Sequence, residues 1–331
     1  MQTVELSMRD TYGEELTVLG SEYPELIVLD ADVSSSTKSV LFEEKFPERF
    51  FNTGVAEANM IDIAGGLALC GLKPVVNTFA VFLALKTTEQ IRNVICYNKL
   101  PVLLTGSYSG LSDSYDGASH QSIEDIAVMR AIPNMNVIVP ADSIELKQAL
   151  RQAVNLSAPV YLRVCRNPVP VLFEHSEPFS FGKIRVVHEG EHITIAACGI
   201  TVSIAVQAVE QLNRNGVSAE LLNISTIKPL DEKTLIDSVK KTGCILTVEE
   251  HSVIGGLGSA VSEVLMKRFP VFGDTIGVND VFTETGGYDE LLEKYRISAG
   301  VIVEKAKEIL QMKPEGGQKN TGRNISYYDE D

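Results

Sequence analysis

Short apolar runs that alternate with helical segments constrain the fold of this chain more than any other feature. The runs are apolar along their whole length, which is typical of strands buried on both faces of a sheet. In the first half they are Leu26–Leu29, Pro74–Thr78, Val102–Thr105, Val137–Val139 and Val160–Val164. The helical segments between them are Ser39–Phe46, Ala56–Cys70, Thr87–Asn98, Ile123–Ala131 and Ser143–Asn155. This alternation predicts a parallel sheet with helices on both faces.

The sequence changes in character between residues 173 and 190, where a polar, irregular segment contains Pro178 and ends in a charged turn. A second series follows, with the apolar runs Ile193–Ala197, Ala219–Ile224, Cys244–Val248 and Thr275–Val278. We therefore predict an α/β fold with two doubly wound αβα domains, at residues 1–172 and 191–312, joined by a linker at 173–190. Residues 313–331 show no periodicity and are predicted to form a flexible tail.

The composition of the chain argues against several classes of partner. Its 331 residues include 29 basic and 44 acidic side chains, and the net charge of −15 argues against nucleic acid or an anionic membrane. No apolar run reaches the ~18 residues of a membrane span, and the N-terminus lacks the order of a signal peptide. The five cysteines stand singly without a CxxC pair, which predicts reduced thiols in a cytoplasmic protein.

Residues 50–82 combine the side chains that a flat heteroaromatic ring requires. Glu57 lies where an extended stretch gives way to a helix of small residues, and Phe79 and Phe82 follow the next predicted strand. A buried carboxylate could give a proton to a ring nitrogen, while the phenylalanines support the ring. The alternatives are a first-turn glutamate favoured by the helix dipole, and phenylalanines that belong to the core.

Polar residues also follow other strands, at the sheet edge where ligands of parallel sheets bind. A long loop after the third strand contains Asp116 and His120, which suit substrate hydroxyl groups, although a solvated loop has a similar composition. Arg163 and Arg166 lie at the end of a further strand, where they could hold an anion or be surface charges.

Two other patterns do not predict sites. The turn Gly255–Gly258 lacks the lysine–serine signature of a phosphate loop, so we interpret it as a helix start. Four histidines show no metal-ligand spacing: His175, His188, His192 and His251. We therefore predict no metal ligands in this chain.

Taken together, these motifs resemble the C-terminal half of a transketolase. The resemblance extends from about residue 5 to about residue 310, and the order and spacing of the motifs make it specific. The motifs are GVAE at 54–57, TFAVF at 78–82, DGASHQ at 116–121, IPNMNVIVPAD at 132–142, RVCRNP at 163–168 and VEEHSVIGGLGSAV at 248–261. The resemblance implies a pyrimidine-binding domain followed by a transketolase C-terminal domain, in an enzyme that uses thiamine diphosphate.

The resemblance assigns roles at the coenzyme. Glu57 would hydrogen-bond the aminopyrimidine ring of thiamine diphosphate and activate it. Phe79 and Phe82 would stack on that ring or line it. Glu57 is therefore expected to be both a catalytic and a cofactor-binding residue.

The resemblance also assigns roles at the substrate. Asp116 and His120 would contact the hydroxyl groups of the donor, and we count His120 as catalytic. Ser36 and Arg166 would bind the phosphate end of the sugar, for which bidentate guanidinium contacts are suited. We include Arg163 as a further candidate for that anion.

One departure from the family pattern concerns the coenzyme's diphosphate. The chain has no GDG-plus-asparagine motif, which in the family binds Mg²⁺ and the diphosphate; Gly273–Asp274–Thr275 is the nearest approach. The resemblance therefore implies that a separate N-terminal subunit supplies these contacts. It also implies a self-dimer within a heterotetramer, and no activity for this chain by itself.

Other departures concern the substrate. The loop between Gly110 and Asp116 is longer than in typical transketolases, and Gly106 to Tyr108 occupy the region of a missing family histidine. Leu85 stands where an aromatic residue is expected. These differences allow a substrate other than the usual sugar phosphate.

The leading hypothesis is a subunit that transfers a two-carbon ketol unit from a ketose phosphate to an aldose phosphate. A deoxyxylulose-phosphate-synthase-like enzyme acting on pyruvate is an alternative, but that family has an arginine where this chain has Phe82. A 2-oxoacid dehydrogenase β-type subunit would share the glutamate but not the SHQ order of the loop. A non-catalytic regulatory homologue would be expected to lose Glu57.

Overall fold

A computed structural model describes residues 4–312, so the predicted tail at 313–331 lies outside the described residues. The strands, in chain order, are β1 (Glu5–Ser7), β2 (Leu26–Asp30), β3 (Phe50–Asn52), β4 (Lys73–Phe79), β5 (Leu103–Ser107), β6 (Asn136–Ile138), β7 (Val160–Val164), β8 (Pro168–Pro170), β9 (Arg185–His188), β10 (Ile193–Ala197), β11 (Ala219–Asn223), β12 (Thr226–Lys228), β13 (Cys244–Ser252) and β14 (Phe272–Val278).

The helices lie between the strands. They are α1 (Met8–Glu22), α2 (Ser34–Thr37), α3 (Val40–Lys45), α4 (Glu57–Leu69), α5 (Ala80–Lys86), α6 (Thr88–Gln90), α7 (Asp125–Ala131), α8 (Ser143–Asn155), α9 (Thr201–Arg214), α10 (Glu232–Thr242), α11 (Leu257–Arg268), α12 (Tyr288–Lys294) and α13 (Ala299–Met312). A 3₁₀ turn at Pro47–Arg49 and a π-helical turn at Ile91–Cys96 complete them. No helix within residues 4–312 is long and apolar enough to cross a membrane.

The first sheet has seven strands in the order β12-β6-β7-β5-β4-β2-β3. All of its pairs are parallel except β12 with β6. Its inner strands β2, β5 and β7 are buried at every residue, as their continuous apolar sequences predict. Because β2, β4 and β5 are adjacent and parallel, their carboxyl ends meet at one edge of the sheet.

The second sheet has the order β14-β13-β10-β11-β9 and is parallel apart from β9. Asp231 caps the start of helix α10, where its side chain accepts a hydrogen bond from the Thr234 amide. Gly243 caps the end of the helix with a φ of +74°, a conformation that favours glycine. The prediction of an α/β fold with two parallel-sheet units is thus confirmed.

The predicted linker at 173–190 is wrong in its last part. Residues Arg185–His188 form β9, which pairs antiparallel with β11 at the edge of the second sheet. An edge strand is partly solvated, so it lacks the continuous apolar run that marks the inner strands. The two halves also share a sheet, since β12 of the second half pairs with β6 of the first.

Candidate active site

The site begins at Glu57, the first residue of α4. Its side chain is buried, with 6% of its surface exposed. Its Oε1 accepts a hydrogen bond from Lys86 Nζ at 3.0 Å. Lys86 lies at the end of α5 and is half exposed, and its Nζ is 4.2 Å from the centroid of the Phe82 ring. A buried carboxylate, an ammonium group and an aromatic face are therefore in contact.

Aromatic side chains extend from this carboxylate across the sheet edge. The rings of Phe79 and Phe82 are 6.0 Å apart, and His120 meets the Phe82 ring edge-on at 5.2 Å. Tyr108 stacks on Phe79 at 4.5 Å, because Phe79 ends β4 and Tyr108 follows the neighbouring strand β5. Phe79, Phe82 and His120, predicted from separate motifs, thus lie together beside Glu57.

This grouping fits a flat nitrogen-containing ring such as an aminopyrimidine. Phe79 and Phe82 are only half buried, so part of each ring remains accessible. Glu57 could hydrogen-bond a ring nitrogen if Lys86, which is half exposed and attached by a flexible stem, moved aside. Within residues 4–312 no cluster of three or more histidine, cysteine or acidic side chains could hold a metal ion.

Two arginines approach Tyr108 from different parts of the chain. Arg166 places its guanidinium carbon 4.8 Å from the centroid of the Tyr108 ring. The guanidinium carbon of Arg9 is 5.7 Å from the same centroid, and its Nη1 donates to the Tyr108 hydroxyl at 2.6 Å. Arg9 Nε is buried and has no hydrogen-bond partner among the described residues. Two cations around one ring form a place where an anionic group can bind.

Arg9 and Tyr108 were not selected as site residues from the sequence. Arg9 is one basic residue in the first turn of a helix, and nothing in its neighbourhood marks it. Tyr108 carries a signal only in the backbone, where its φ of +59° is uncommon for a large residue and typical of functional sites.

Arg166 forms an ion pair with a buried acid. Asp113 has no exposed surface, and its Oδ1 accepts a hydrogen bond from Arg166 Nη1 at 2.7 Å. Burial, and next the charge of the neighbouring Asp116, raise the pKa of Asp113 to about 7 against the effect of Arg166. Asp116 itself is exposed. Nothing in the local sequence distinguishes Asp113 from the other acids of the same loop.

Ser36 lies in α2, just after β2, and is half buried. The turn that carries it is held by Asp30, a buried residue that accepts hydrogen bonds from the Val33 amide and from the hydroxyls of Thr37 and Ser39. Burial raises the pKa of Asp30 to about 6. Asp30 therefore shapes the turn, and the binding role of Ser36 stays a prediction.

Arg163, predicted as a further ligand of the substrate anion, is engaged in hydrogen bonds within the chain. Arg163 is buried, and its Nε donates to Asp125 at 2.8 Å. Its Nη2 donates to the backbone carbonyls of Ser122 and Glu250, the latter in the second half of the chain. Arg163 lies inside β7, whereas Arg166 follows the end of that strand, so only Arg166 reaches the site edge.

The turn Gly255–Gly258 is a helix start, as interpreted from the sequence. Glu249, which is fully buried, accepts hydrogen bonds from the amides of Leu257 and Gly258 at 2.6 and 2.8 Å. A carboxylate of the chain itself thus occupies the amides with which a phosphate loop would bind its ligand.

Two family models match the chain. "Transketolase, pyrimidine binding domain" matches residues 4–171, and "Transketolase, C-terminal domain" matches residues 182–302. Together they cover both halves of the fold described above.

Individual proteins extend this similarity. A "Putative transketolase C-terminal section" from Methanocaldococcus jannaschii is 44% identical over 315 residues, which cover 93% of this chain and 97% of that protein. The "6-deoxy-6-sulfo-D-fructose transketolase subunit SqwH" of a Clostridium species is 39% identical, with 92% of this chain and 95% of that one covered. A solved structure described as "Split gene transketolase, inactive beta4 tetramer" is 42% identical, with a TM-score of 0.86 over 94% of this chain and 100% of that chain. The chain therefore belongs to the transketolase family, in which it corresponds to the pyrimidine-binding and C-terminal domains.

Proposed function

We propose that this chain is the C-terminal subunit of a split, thiamine-diphosphate-dependent transketolase, which moves a two-carbon ketol unit from a ketose to an aldose. The observation that carries the proposal is the buried carboxylate of Glu57 beside the half-buried rings of Phe79 and Phe82, with His120 against the second ring. The family membership supports it, because both matched domains belong to transketolases.

Glu57 would bind the coenzyme's ring nitrogen and hold the proton shared with it. Bound thiamine diphosphate would supply the nucleophilic carbon that takes up the two-carbon unit. Lys86 would have to leave the Phe82 face that its ammonium group covers, whereas on Glu57 that group contacts only Oε1. Phe79 and Phe82 would exclude water from the ring, which strengthens the hydrogen bond to the carboxylate.

The remaining side chains would orient the sugar. His120 and Asp116 would hydrogen-bond its hydroxyl groups, since both lie on the loop that faces the aromatic cluster. Arg166 and Arg9 would bind the anionic end, with Ser36 as a further donor. The anion would thus be held at Tyr108, beside the Phe79 end of the cluster rather than beside Glu57.

We further propose that a partner polypeptide supplies the diphosphate and Mg²⁺ contacts, in a heterotetramer that contains two copies of this chain. The support is the family motif that the sequence lacks, together with the printed descriptions of the relatives as a C-terminal section or a subunit. The structural relative is described as an inactive tetramer of β chains. By itself, this chain should therefore bind thiamine diphosphate weakly and show no turnover.

The test is reconstitution with the chain of the same organism that carries the GDG-plus-asparagine motif, in the presence of thiamine diphosphate and Mg²⁺. We expect ketol transfer from a ketose phosphate, or from the sulfonate-bearing ketose named for the Clostridium relative, and none from either subunit alone. Turnover of pyruvate instead would favour the synthase-like or 2-oxoacid dehydrogenase alternatives.

Glu57→Gln separates an enzyme from a scaffold of the same fold. The variant keeps the shape of the side chain and should still assemble with the partner, as judged by size-exclusion chromatography. We expect its kcat to fall by about 10²-fold or more, the usual contribution of a proton-transferring group. Full activity in this variant would end the proposed role of Glu57, and no activity in the wild-type assembly with any donor would favour a regulatory homologue.

A further inference from the structure

The anion-binding end of the site contains an acid as well as two arginines. Asp113 is fully buried, and one of its oxygens accepts the Arg166 hydrogen bond. The other oxygen, Oδ2, is buried without a hydrogen-bond donor among the described residues. The carboxylate of Asp116 lies close enough to the Asp113 carboxyl group to interact with it. Asp113 therefore faces one cation and one further acid.

This arrangement reduces the positive charge offered to a substrate. Arg9 and Arg166 together carry two positive charges around Tyr108, and ionised Asp113 cancels one of them at hydrogen-bond distance from Arg166. A phosphate monoester carries nearly two negative charges at neutral pH, since its second pKa is ~6. Removing water from its second charge is costly, and Arg9, Arg166 and Asp113 together offer only one net positive charge in return. The carboxylates of Asp113 and Asp116 also repel that second charge.

We propose that Asp113 is a specificity-determining residue, which adapts the anion-binding end of this site to a singly charged sulfonate in preference to a phosphate dianion. The proposal rests on the proposed function, because it concerns the substrate of that same site. Asp113 falls within the loop section between Gly110 and Asp116, which is longer than the family resemblance implies.

The variant Asp113→Asn tests the charge separately from the geometry. An asparagine oxygen can still accept the hydrogen bond from Arg166, so the guanidinium group keeps its position over Tyr108 while the negative charge is removed. If Asp113 only positions Arg166, the Asp113→Asn substitution should affect the binding of all anions to a similar extent. If Asp113 sets the charge balance of the site, the substitution should change which anion binds more tightly.

The first measurement is kcat/KM of the reconstituted enzyme for two ketoses that differ only in a terminal sulfonate or phosphate. It is made at about pH 8, where Asp113 with its pKa of about 7 is ionised. We expect the wild type to prefer the sulfonate, and Asp113→Asn to shift the ratio at least about 10-fold toward phosphate, which is a differential of ~1.4 kcal/mol. Asp289→Asn, which removes an exposed acid from α12, is the matched control and should leave the ratio unchanged.

A second measurement does not require turnover. The full chain alone is titrated with methanesulfonate and with methyl phosphate, and binding is followed by NMR for the wild type and for Asp113→Asn. The wild type should bind methanesulfonate more tightly, and the variant should gain affinity for methyl phosphate. If the reconstituted enzyme transfers no ketol unit, the proposed function fails, whereas this titration still decides the role of Asp113.

A shift of the ratio toward phosphate of less than about 10-fold in Asp113→Asn would overturn the proposal, because it would be smaller than the ~1.4 kcal/mol differential expected. A wild-type preference for phosphate would overturn it as well. Equal losses for both anions in Asp113→Asn would identify Asp113 as a positioning residue for Arg166 without influence on specificity.

Discussion

Removing Lys86 should destabilise the free chain by leaving a buried carboxylate without its cation. Glu57 has only 6% of its side chain exposed, and Lys86 Nζ lies 3.0 Å from its Oε1. Breaking a fully buried ion pair costs roughly 3–5 kcal/mol, while a surface pair contributes about 0–1 kcal/mol. Since the lysine is half exposed and the first turn of α4 also favours a negative charge, we expect Lys86→Met to cost about 1–2 kcal/mol.

The assay is urea and thermal unfolding of the isolated chain. A loss of this size should lower Tm by about 1–3 °C in a protein of this length. Lys233→Met is the matched control, because Lys233 pairs with Asp237 at the surface and both side chains are exposed. That variant should show no measurable change.

A double-mutant cycle isolates the pair itself. Glu57→Gln removes the buried charge, so Lys86→Met should cost little in that background, and the coupling energy should be about 1 kcal/mol. The reasoning would be refuted if Lys86→Met lowered the free energy of unfolding equally in the wild-type and Glu57→Gln backgrounds. It would also be refuted if Lys86→Met were as stable as the Lys233→Met control. In either case Lys86 would not be the residue that compensates the buried carboxylate.

Three further predictions concern the chain outside this pair. Arg163→Met should lower the free energy of unfolding by roughly 3–5 kcal/mol in urea titrations, because Asp125 loses a buried partner. Arg166→Met should weaken anion binding and cost less stability, about 1–2 kcal/mol, because Arg166 is partly exposed although its partner Asp113 is buried. Gly256→Ala should destabilise the chain by about 3 kcal/mol, since the added Cβ would overlap the buried Glu249 carboxylate. Gly66→Ala on α4 should instead stabilise it by about 0.5–1 kcal/mol, since a Cβ at that position has no atom within 4 Å. Burial raises the pKa of Glu250 from 4.5 to about 7, so the folded chain binds this proton more tightly than the unfolded chain. The stabilisation that this proton provides is fully present below about pH 4.5 and is lost as the pH rises through about 7. Denaturation curves at a series of pH values should show this decline in the free energy of unfolding, and Glu250→Gln should make the decline smaller.

The inner elements of the fold could be predicted because their sequences carry strong local patterns. Strands Val160–Val164 and Ile193–Ala197 have the predicted limits, since strands buried on both faces are apolar throughout. Helix Ser143–Asn155 also has the predicted limits, and the Asp142 side chain accepts a hydrogen bond from the Glu145 amide at its start. The predicted helix Thr87–Asn98 is less regular, because a π-helical turn at Ile91–Cys96 interrupts it.

Four short strands could not be predicted from local patterns. Strands β1, β8, β9 and β12 are only three or four residues long, and each pairs with a partner distant in sequence. Their hydrogen bonds depend on which backbone edge the tertiary fold presents, and that information is absent from the residues themselves.

The sequence by itself determined the order of strands and helices, the family, and the acid and rings expected at the coenzyme. Glu57, Phe79 and Phe82 lie at or near junctions between strands and helices, and the local sequence pattern determines where those junctions fall. Only the tertiary structure decided the contacts of the proposed anion-binding end, where Arg9 reaches Tyr108 across 99 residues and Arg166 reaches Asp113 across 53. It also decided that Arg163 pairs with the buried Asp125. The physical reason is that such contacts depend on which strands become neighbours in the sheet, and strand order arises from the packing of the whole chain.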